Sequence, residues 1–376
     1  MKNHAFTLLA AVALATCQPA DQKNNSPVGQ EVLSKPTQAN TESQVIKPVF
    51  TTDTTQHDTD DPAIWVNPND PAQSLIVGTD KDEEGALYVF DLKGKIVKVV
   101  KGLKRPNNVD IEYGLVLNGQ KMDIAVAAER LTHKLRIFRL PDMEAIDGGG
   151  IEIFKGETGP EHRDLMGIAL YKNPASGKIY AIAGRKNGPT DGTYLWQYEL
   201  SDNGQGQVKA ELVRKFGKYS GKNEIEAIAV DDALGYVYYC DEGIGIRKYY
   251  ADPAKGNEEL ALFGTKGFQE DHEGISIYTI SDGTGYILVS DQQANQFHIF
   301  PREGQAKNPH QHDLIKIVKV STNESDGSEV SSVAFNDTFA NGLFVAMSDN
   351  KTFQLYRWED LAGKDLKLAP NGRVKP

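Results

Sequence analysis

The chain has 376 residues, 39% of them hydrophobic and 25% charged, with a formal net charge of −11. That is enough apolar material for a large core, and 35 Gly, 17 Pro, 15 Tyr and 14 Phe weight the composition toward turns and strands. The acidic balance, with no long basic stripe, makes nucleic acid and an anionic membrane surface poor candidate partners, and a polyanion would need metal ions or a local basic cluster to bind.

Residues 1–17 (MKNHAFTLLAAVALATC) carry one early lysine and then an apolar stretch of about a dozen residues, the form of an export signal and too short to span a membrane. Two endings are open. Leu14-Ala15-Thr16-Cys17 resembles a lipobox, which would put a lipid on Cys17, whereas Ala13-Leu14-Ala15 reads as an A-x-A cleavage site that would release a soluble protein. The lipoprotein is the expectation, so the protein is expected to be exported, either anchored to the outer membrane or free in the periplasm or medium. Residues 18–44 are polar and hold almost no large apolar side chain, which predicts a disordered tether ahead of a single domain at 45–376. Beyond Cys17 only Cys240 remains, so neither an intramolecular disulfide nor a cysteine zinc cluster can form in the domain. Cys240 ends the strand-like run YVYYC and is expected to be an inert packed thiol.

From Ser74 onward one arrangement returns six times: an apolar run ending in charged or amide residues, a loop, and a second run ending in aromatics. The copies are Ser74–Leu92, Lys121–Leu140, Lys178–Leu200, Gly235–Tyr250, Gly285–Arg302 and Asn341–Glu359. Ahead of each lies a further strand pattern with an acidic or amide start: Asp60–Asn67, Asn107–Tyr113, Asp164–Tyr171, Glu224–Asp231, Asp271–Tyr278 and Glu329–Asn336. A fourth strand follows in five repeats, at Lys95–Val100, Gly150–Phe154, Val208–Phe216, Glu259–Phe263 and Leu314–Val320. A β-type period of roughly 50 residues marks a propeller. The predicted fold is therefore all-β, a six-bladed propeller of four-stranded antiparallel blades with strands A to D from axis to rim. The sixth repeat lacks strand D, and Val45–Thr52 (VIKPVFTT) is a spare strand that should complete that blade and close the ring, leaving no exposed edge.

In an antiparallel meander the starts of the A strands and the B–C loops open on one face. The A starts bring Asp60, Asp61, Asn107, Asn108, Asp110, Asp164, Glu224, Glu226, Asp271 and Glu273 there; the B–C loops add Asp80, Lys81, Asp82, Glu129, Arg130, Arg185, Lys186, Asp241, Glu242, Asp291 and Gln292. Clustered carboxylates raise one another's pKa, and hard multivalent cations relieve the repulsion. An all-oxygen set suits Ca²⁺ over zinc or copper, so Asp60, Asp61, Asp110, Glu226, Asp241, Glu242, Asp271 and Glu273 are candidate ligands for several Ca²⁺ ions. Lys81, Arg130, Arg185 and Lys186 lie among them, and cations beside metal-binding acids suit a phosphorylated ligand. Other phosphatase chemistries are missing: there is no RHGxRxP run, no P-loop, no GxSxG, and Cys240 and Arg247 have the wrong spacing for a cysteine phosphatase loop.

DDPAIWVNP, the NNVDIEY–LNG–K–DIA–A–R series, CDEGIGIRKY and EGISIY…GYILVSDQQANQFHIF resemble the β-propeller phytases from about Thr51 to Glu359. The resemblance implies a Ca²⁺-dependent hydrolase, a 3-phytase, that removes phosphate from myo-inositol hexakisphosphate with water as nucleophile. It implies a catalytic cluster of Asp61, Glu226 and Glu273 with the Asp241/Glu242 pair as calcium ligands, and Lys81 and Arg130 as phosphate binders. Gly184-Arg185, with Lys186 next, stands where the family has Gly-Lys, and Leu165-Met166 stands where it usually has a Tyr. The expected partner is a small inositol phosphate, with no nucleic acid, membrane contact only through an N-terminal lipid, and a monomeric chain. Two alternatives remain open at this level: a calcium-dependent propeller lactonase, which would need few cations around its metal, and a non-catalytic propeller binding a protein or glycan.

Overall fold

Each repeat becomes one sheet in the computed structural model, which describes residues 44–370. The export signal, nearly all of the tether and the last six residues lie outside the described residues. Blade 1 is Thr59–Trp65, Leu75–Asp80, Gly85–Phe90 and Ile96–Leu103. Blade 2 is Pro106–Leu117, Gln120–Glu129, Lys134–Leu140 and Ile151–Glu152, with Glu144–Ala145 added beside its third strand. Blade 3 is Leu165–Lys172, Ile179–Arg185, Leu195–Asp202 and Val208–Phe216. Blade 4 is Ile228–Asp231, Tyr236–Asp241, Gly245–Tyr250 and Ala261–Phe263. Blade 5 is His272–Ser281, Thr284–Asp291, Gln296–Pro301 and Lys316–Lys319. Blade 6 is Ser328–Ser331, Leu343–Ser348 and Thr352–Arg357, completed from the other end of the chain by Phe50–Thr51.

That closure is the expected one, confined to the middle of the spare strand. Phe50 pairs with Leu355 and Thr51 with Gln354, antiparallel. Val49 N donates to Leu355 O (2.8 Å) and Thr52 N to Phe353 O (2.9 Å), so strand C of blade 6 has no free edge there.

Strands B and C read as nearly unbroken apolar runs because both faces of each blade are buried. Alternation deals the side chains to opposite neighbours. In strand B of blade 2, Ile124, Val126 and Ala128 join the cluster with blade 3, while Ala125 and Ala127 join that with blade 1. Among the described residues the hydrophobic core consists of such blade-to-blade clusters. Cys240, fully buried between blades 4 and 5, belongs to one of them.

Three details depart from the sequence reading. Strand A of blade 4 starts at Ile228, not Glu224, because residues 224–227 keep only isolated bonds to strand B, Cys240 N to Ala227 O (3.0 Å) and Glu242 N to Glu224 O (3.3 Å). Strand A of blade 6 ends at Ser331, and the Asn336 side chain then accepts from Thr338 N and Phe339 N to form a turn. The C-terminal stretch, for which no element is expected, forms a short helix at Trp358–Ala362; Trp358 stacks on Tyr278 with centroids 3.8 Å apart.

The A strands approach closely around the axis, and glycine allows it. A Cβ on Gly167 of blade 3 would overlap the Glu226 carbonyl oxygen of blade 4, and one on Gly327 would lie 2.5 Å from Asp60 O and from Asp61 Oδ1. These contacts set the spacing of the acidic residues across blade boundaries.

Candidate active site

The acidic starts of the A strands coincide with breaks in the ladder. Register shifts fall between Thr59 and Pro62, Pro106 and Val109, Leu165 and Ile168, and His272 and Ile275. Such bulges free two residues from pairing and re-aim their side chains. They carry Asp60 and Asp61, Asn107 and Asn108, Met166 and Gly167, and Glu273 and Gly274. Blade 4 reaches the same end by delaying its strand, which leaves Glu224 and Glu226 on an irregular segment.

The structure brings acids of blades 1, 4, 5 and 6 together. Asp60, Glu226, Glu242 and Glu273 are all buried, as are Asn107 and Asn108. The Asp60 and Glu226 carboxyls lie within electrostatic reach of each other. Asn107 Nδ2 reaches Asp60 Oδ2 at 3.4 Å. With its amide oriented to donate, Asn108 Nδ2 lies 3.0 Å from Met166 O and 3.2 Å from Glu226 Oε1. Val109 N donates to Asp61 Oδ2 (3.1 Å), and Glu224 N to Glu242 Oε2 (3.3 Å). Burial, followed by mutual repulsion, holds Asp60, Asp61, Glu226 and Glu273 above the ordinary carboxylate range. For Glu242, burial and then Glu224 and Glu226 push the carboxyl up to about 9.

Lys81 sits inside this cluster, its Nζ 2.8 Å from Asp60 Oδ1 and 3.1 Å from Asp326 Oδ2. Burial opposes its charge, but Asp60, Glu226 and Asp326 outweigh that and raise its pKa. Arg130 is buried in the B–C turn of blade 2; among the described residues its guanidinium makes no hydrogen bond or ion pair. Lys186 pairs with Glu224 and faces a polar recess of about 520 Å³, lined also by Glu161, Tyr219, Lys222, Glu242 and Asp271.

Four expected residues stand apart from that arrangement. Arg185 is fully buried behind the mouth, where the phosphate-binding role implied by the resemblance finds no free donor face. Its guanidinium donates to Glu157 Oε2 (2.8 Å), His162 O (3.1 Å), Tyr194 O (3.1 Å) and Thr193 O (3.2 Å), and lies over the Phe154 ring. The reason is alternation: at the end of strand B its side chain turns into the interface between blades 2 and 3. Asp241 turns likewise into its blade, accepting from Ser220 Oγ (2.7 Å) and Arg247 Nε (2.9 Å), so of the Asp241/Glu242 pair only Glu242 faces the cluster. Asp110 lies deeper, lining an axial cavity of about 130 Å³ with Asp61 and Glu329 and accepting from Leu170 N (2.6 Å). Asp271 sits on the rim between Asn223 (3.0 Å) and Gln293 (2.9 Å). Where the family's usual Tyr would stand, Leu165 and Met166 are buried.

Sequence reasoning did not count Asp326, Asp58 or Glu224 among the site residues, although Asp326 lies in the short acidic run Glu324-Ser325-Asp326-Gly327 ahead of the sixth A strand. Asp326 holds Lys81 and also accepts from Gln292 Nε2. The signal was present: Asp326-Gly327 stands just before strand A of blade 6, as the acidic residues of the other blades stand at theirs. Asp58 is raised by burial and lies within electrostatic reach of Lys81, Asp326, Asp349 and Arg105.

Among the described residues, no group of three or more His, Cys, Asp or Glu side chains is already gathered as a metal cage. The donor set nevertheless suits a hard cation. It is all oxygen, and two of its buried atoms, Glu242 Oε1 and Glu273 Oε2, have no hydrogen-bond partner. A buried orphan carboxylate oxygen costs free energy that a bound cation recovers.

The family model for phytase matches residues 7–364, nearly the whole chain. The chain belongs to the phytase family. A relative from Bacillus subtilis (strain 168), described as "3-phytase", is 31% identical over 321 residues, covering 81% of this chain and 80% of the relative. A solved structure titled "Structure of Dos1 propeller" matches with a TM-score of 0.41 at 11% identity, over 80% of this chain and 67% of that one, too slight a likeness to argue from. Membership of the phytase family gives the buried acids and Lys81 a chemical context.

Proposed function

We infer that this chain is a 3-phytase, a phosphomonoester hydrolase that releases phosphate from myo-inositol hexakisphosphate. The observation that carries the reading is Lys81, clasped by Asp60 and Asp326 amid buried Glu226, Glu242 and Glu273, in a chain of the phytase family. The acids alone would repel a polyanionic substrate, and Lys81 and Arg130 present positive charge beside them. Few cations would surround a lactonase metal, and these two count against that alternative.

We propose Ca²⁺ as the cofactor, held by Asp61, Glu226, Glu242 and Glu273 with Asp60 and Asp326 beside them. When bound it supplies neutralisation of the carboxylates, polarisation of phosphoryl oxygens and a more acidic water. Lys81 and Arg130 donate to phosphoryl oxygens, and their positions are set before substrate arrives. Asp60 and Asp326 keep the Lys81 ammonium charged and aimed, and Asn108 orients Glu226. Burial of the cluster excludes bulk water and strengthens each of these interactions. The apolar N-terminal segment ending in Leu14-Ala15-Thr16-Cys17 supports export of the chain, as a lipoprotein or in soluble form.

The test is phosphate release from phytate by the full chain in added calcium and in chelator. Release in calcium that stops on chelation is expected; no release at any calcium concentration overturns the reading.

A further inference from the structure

The net charge of −11 hides one cationic strand. Residues 93–105 read KGKIVKVVKGLKR, lysines and a final arginine with no acid among them. They hold strand D of blade 1, Ile96–Leu103, on the outer wall of the ring. This strand pairs only with strand C of its own blade, so its outer edge has no strand partner among the described residues. Lys93, Lys95, Lys98, Lys101 and Lys104 are all exposed. Lys95 pairs with Asp53 (2.7 Å) at the surface, where an ion pair is worth little. Lys98 Nζ donates to the Asp142 carbonyl. The side chains of Lys93, Lys101 and Lys104 make no ion pair among the described residues. Between these cations Ile96 and Val97 are 37% and 55% exposed.

Lysines on an edge strand guard it against pairing with another chain. Guarding explains scattered charge, but not a run of one sign that also exposes two β-branched apolar side chains. Other D strands differ. Val208–Phe216 of blade 3 sets Glu211 among Lys209, Arg214 and Lys215, and Lys316 of blade 5 is paired with Asp365 (3.1 Å). Cations around exposed apolar side chains fit a phospholipid surface: the ammonium groups meet headgroup phosphates, while Ile96, Val97 and the lysine stems reach the acyl boundary. Position favours the same occupant. Just past the closing strand, Asp53 N donates to Gly94 O (2.7 Å), so the N-terminal end of the domain lies beside the basic strand. A lipid on Cys17 would hold the domain through that same end. We propose that strand D of blade 1 docks the domain onto an anionic phospholipid surface. The site is on the outer wall, away from the mouth, and stands whether or not the chain hydrolyses phytate.

The test is co-sedimentation of the full chain carrying Cys17→Ser, so that no lipid contributes, with vesicles of phosphatidylcholine alone or of equal parts phosphatidylcholine and phosphatidylglycerol. Chelator is present throughout, so that calcium cannot bridge acid to lipid. Binding to the mixed vesicles alone, weakened by salt, is expected. Adding Lys93→Glu and Lys101→Glu should lower vesicle affinity about tenfold or more, with melting temperature and phytate hydrolysis unchanged. Lys93→Gln with Lys101→Gln, which introduces no repulsion, should give a smaller loss in the same direction. Ile96→Ser with Val97→Ser should weaken the binding that survives high salt. No binding to the mixed vesicles overturns the proposal, as does equal binding to neutral ones or undiminished binding by both lysine variants. Binding to soluble polyphosphate but not to vesicles overturns the lipid surface as occupant.

Discussion

Glu226 is the carboxylate on which the cluster turns: it meets the carboxyl of Asp60, the amide of Asn108 and the charge of Lys81. Glu226→Gln preserves its shape and removes a buried charge. Turnover of phytate should fall by roughly 10²-fold or more, while the melting temperature in chelator holds or rises; a variant retaining full activity would remove Glu226 from the site. Neighbouring carboxyls make the same point through pH. Burial pushes Asp110 from 3.8 up to about 7; burial, then Glu224 and Glu226, push Glu242 from 4.5 up to about 9. A carboxyl with a raised folded pKa binds its proton more tightly when folded, so its stabilising contribution is complete below the unfolded pKa and disappears as pH rises through the folded one. Calcium-free protein should therefore lose melting temperature between about pH 5 and pH 9, and millimolar calcium should flatten that slope by replacing protons with cations. A flat profile in chelator would contradict the raised values.

At the scale of elements, the site depends on blades holding their spacing. Blades 4 and 5 are pinned on the face opposite the mouth by Arg302, whose Nε and second guanidinium nitrogen each lie 2.6 Å from Asp231, both residues fully buried. Arg302→Ala would strand the Asp231 charge in the interface and should cost about 3–5 kcal/mol in urea unfolding. A loss below about 1 kcal/mol would show that water or a neighbour replaces the clamp. Bulges do the complementary work at the mouth. Alternation alone would send Asp60 and Asp61 to opposite faces of blade 1; the shift between Thr59 and Pro62 gives both a role at the axis.

For the whole molecule, ring closure decides whether there is a site at all. Phe50–Thr51 joins the first residues of the described chain to its last blade, and Phe353 N donates to Thr52 Oγ1 (2.9 Å) beside it. A chain starting at Gln44 should unfold cooperatively and match the full chain in activity. A chain starting at Asp53 lacks this strand, leaves an open edge on blade 6, and should aggregate or unfold at markedly lower urea. Equal stability of the two, by urea titration and size-exclusion chromatography, would mean that closure does not rest on this strand.

The repeat itself was legible from residue order, because strand periodicity and turn residues are local and both faces of every blade are buried. So were the acidic starts of the A strands, the closing strand and the nearness of Asp60, Lys81, Glu226 and Glu273, all of which follow from repeat position. Periodicity could not say which way the last residue of a strand turns: Arg185 and Asp241 occupy ring positions yet are consumed by Glu157 and Arg247. Nor could it show that Asp326, about 245 residues from Lys81, is its partner. Those outcomes are set by packing between blades, where a bulge, a glycine contact or one well-placed opposite charge decides whether a side chain faces the shared mouth or the wall behind it.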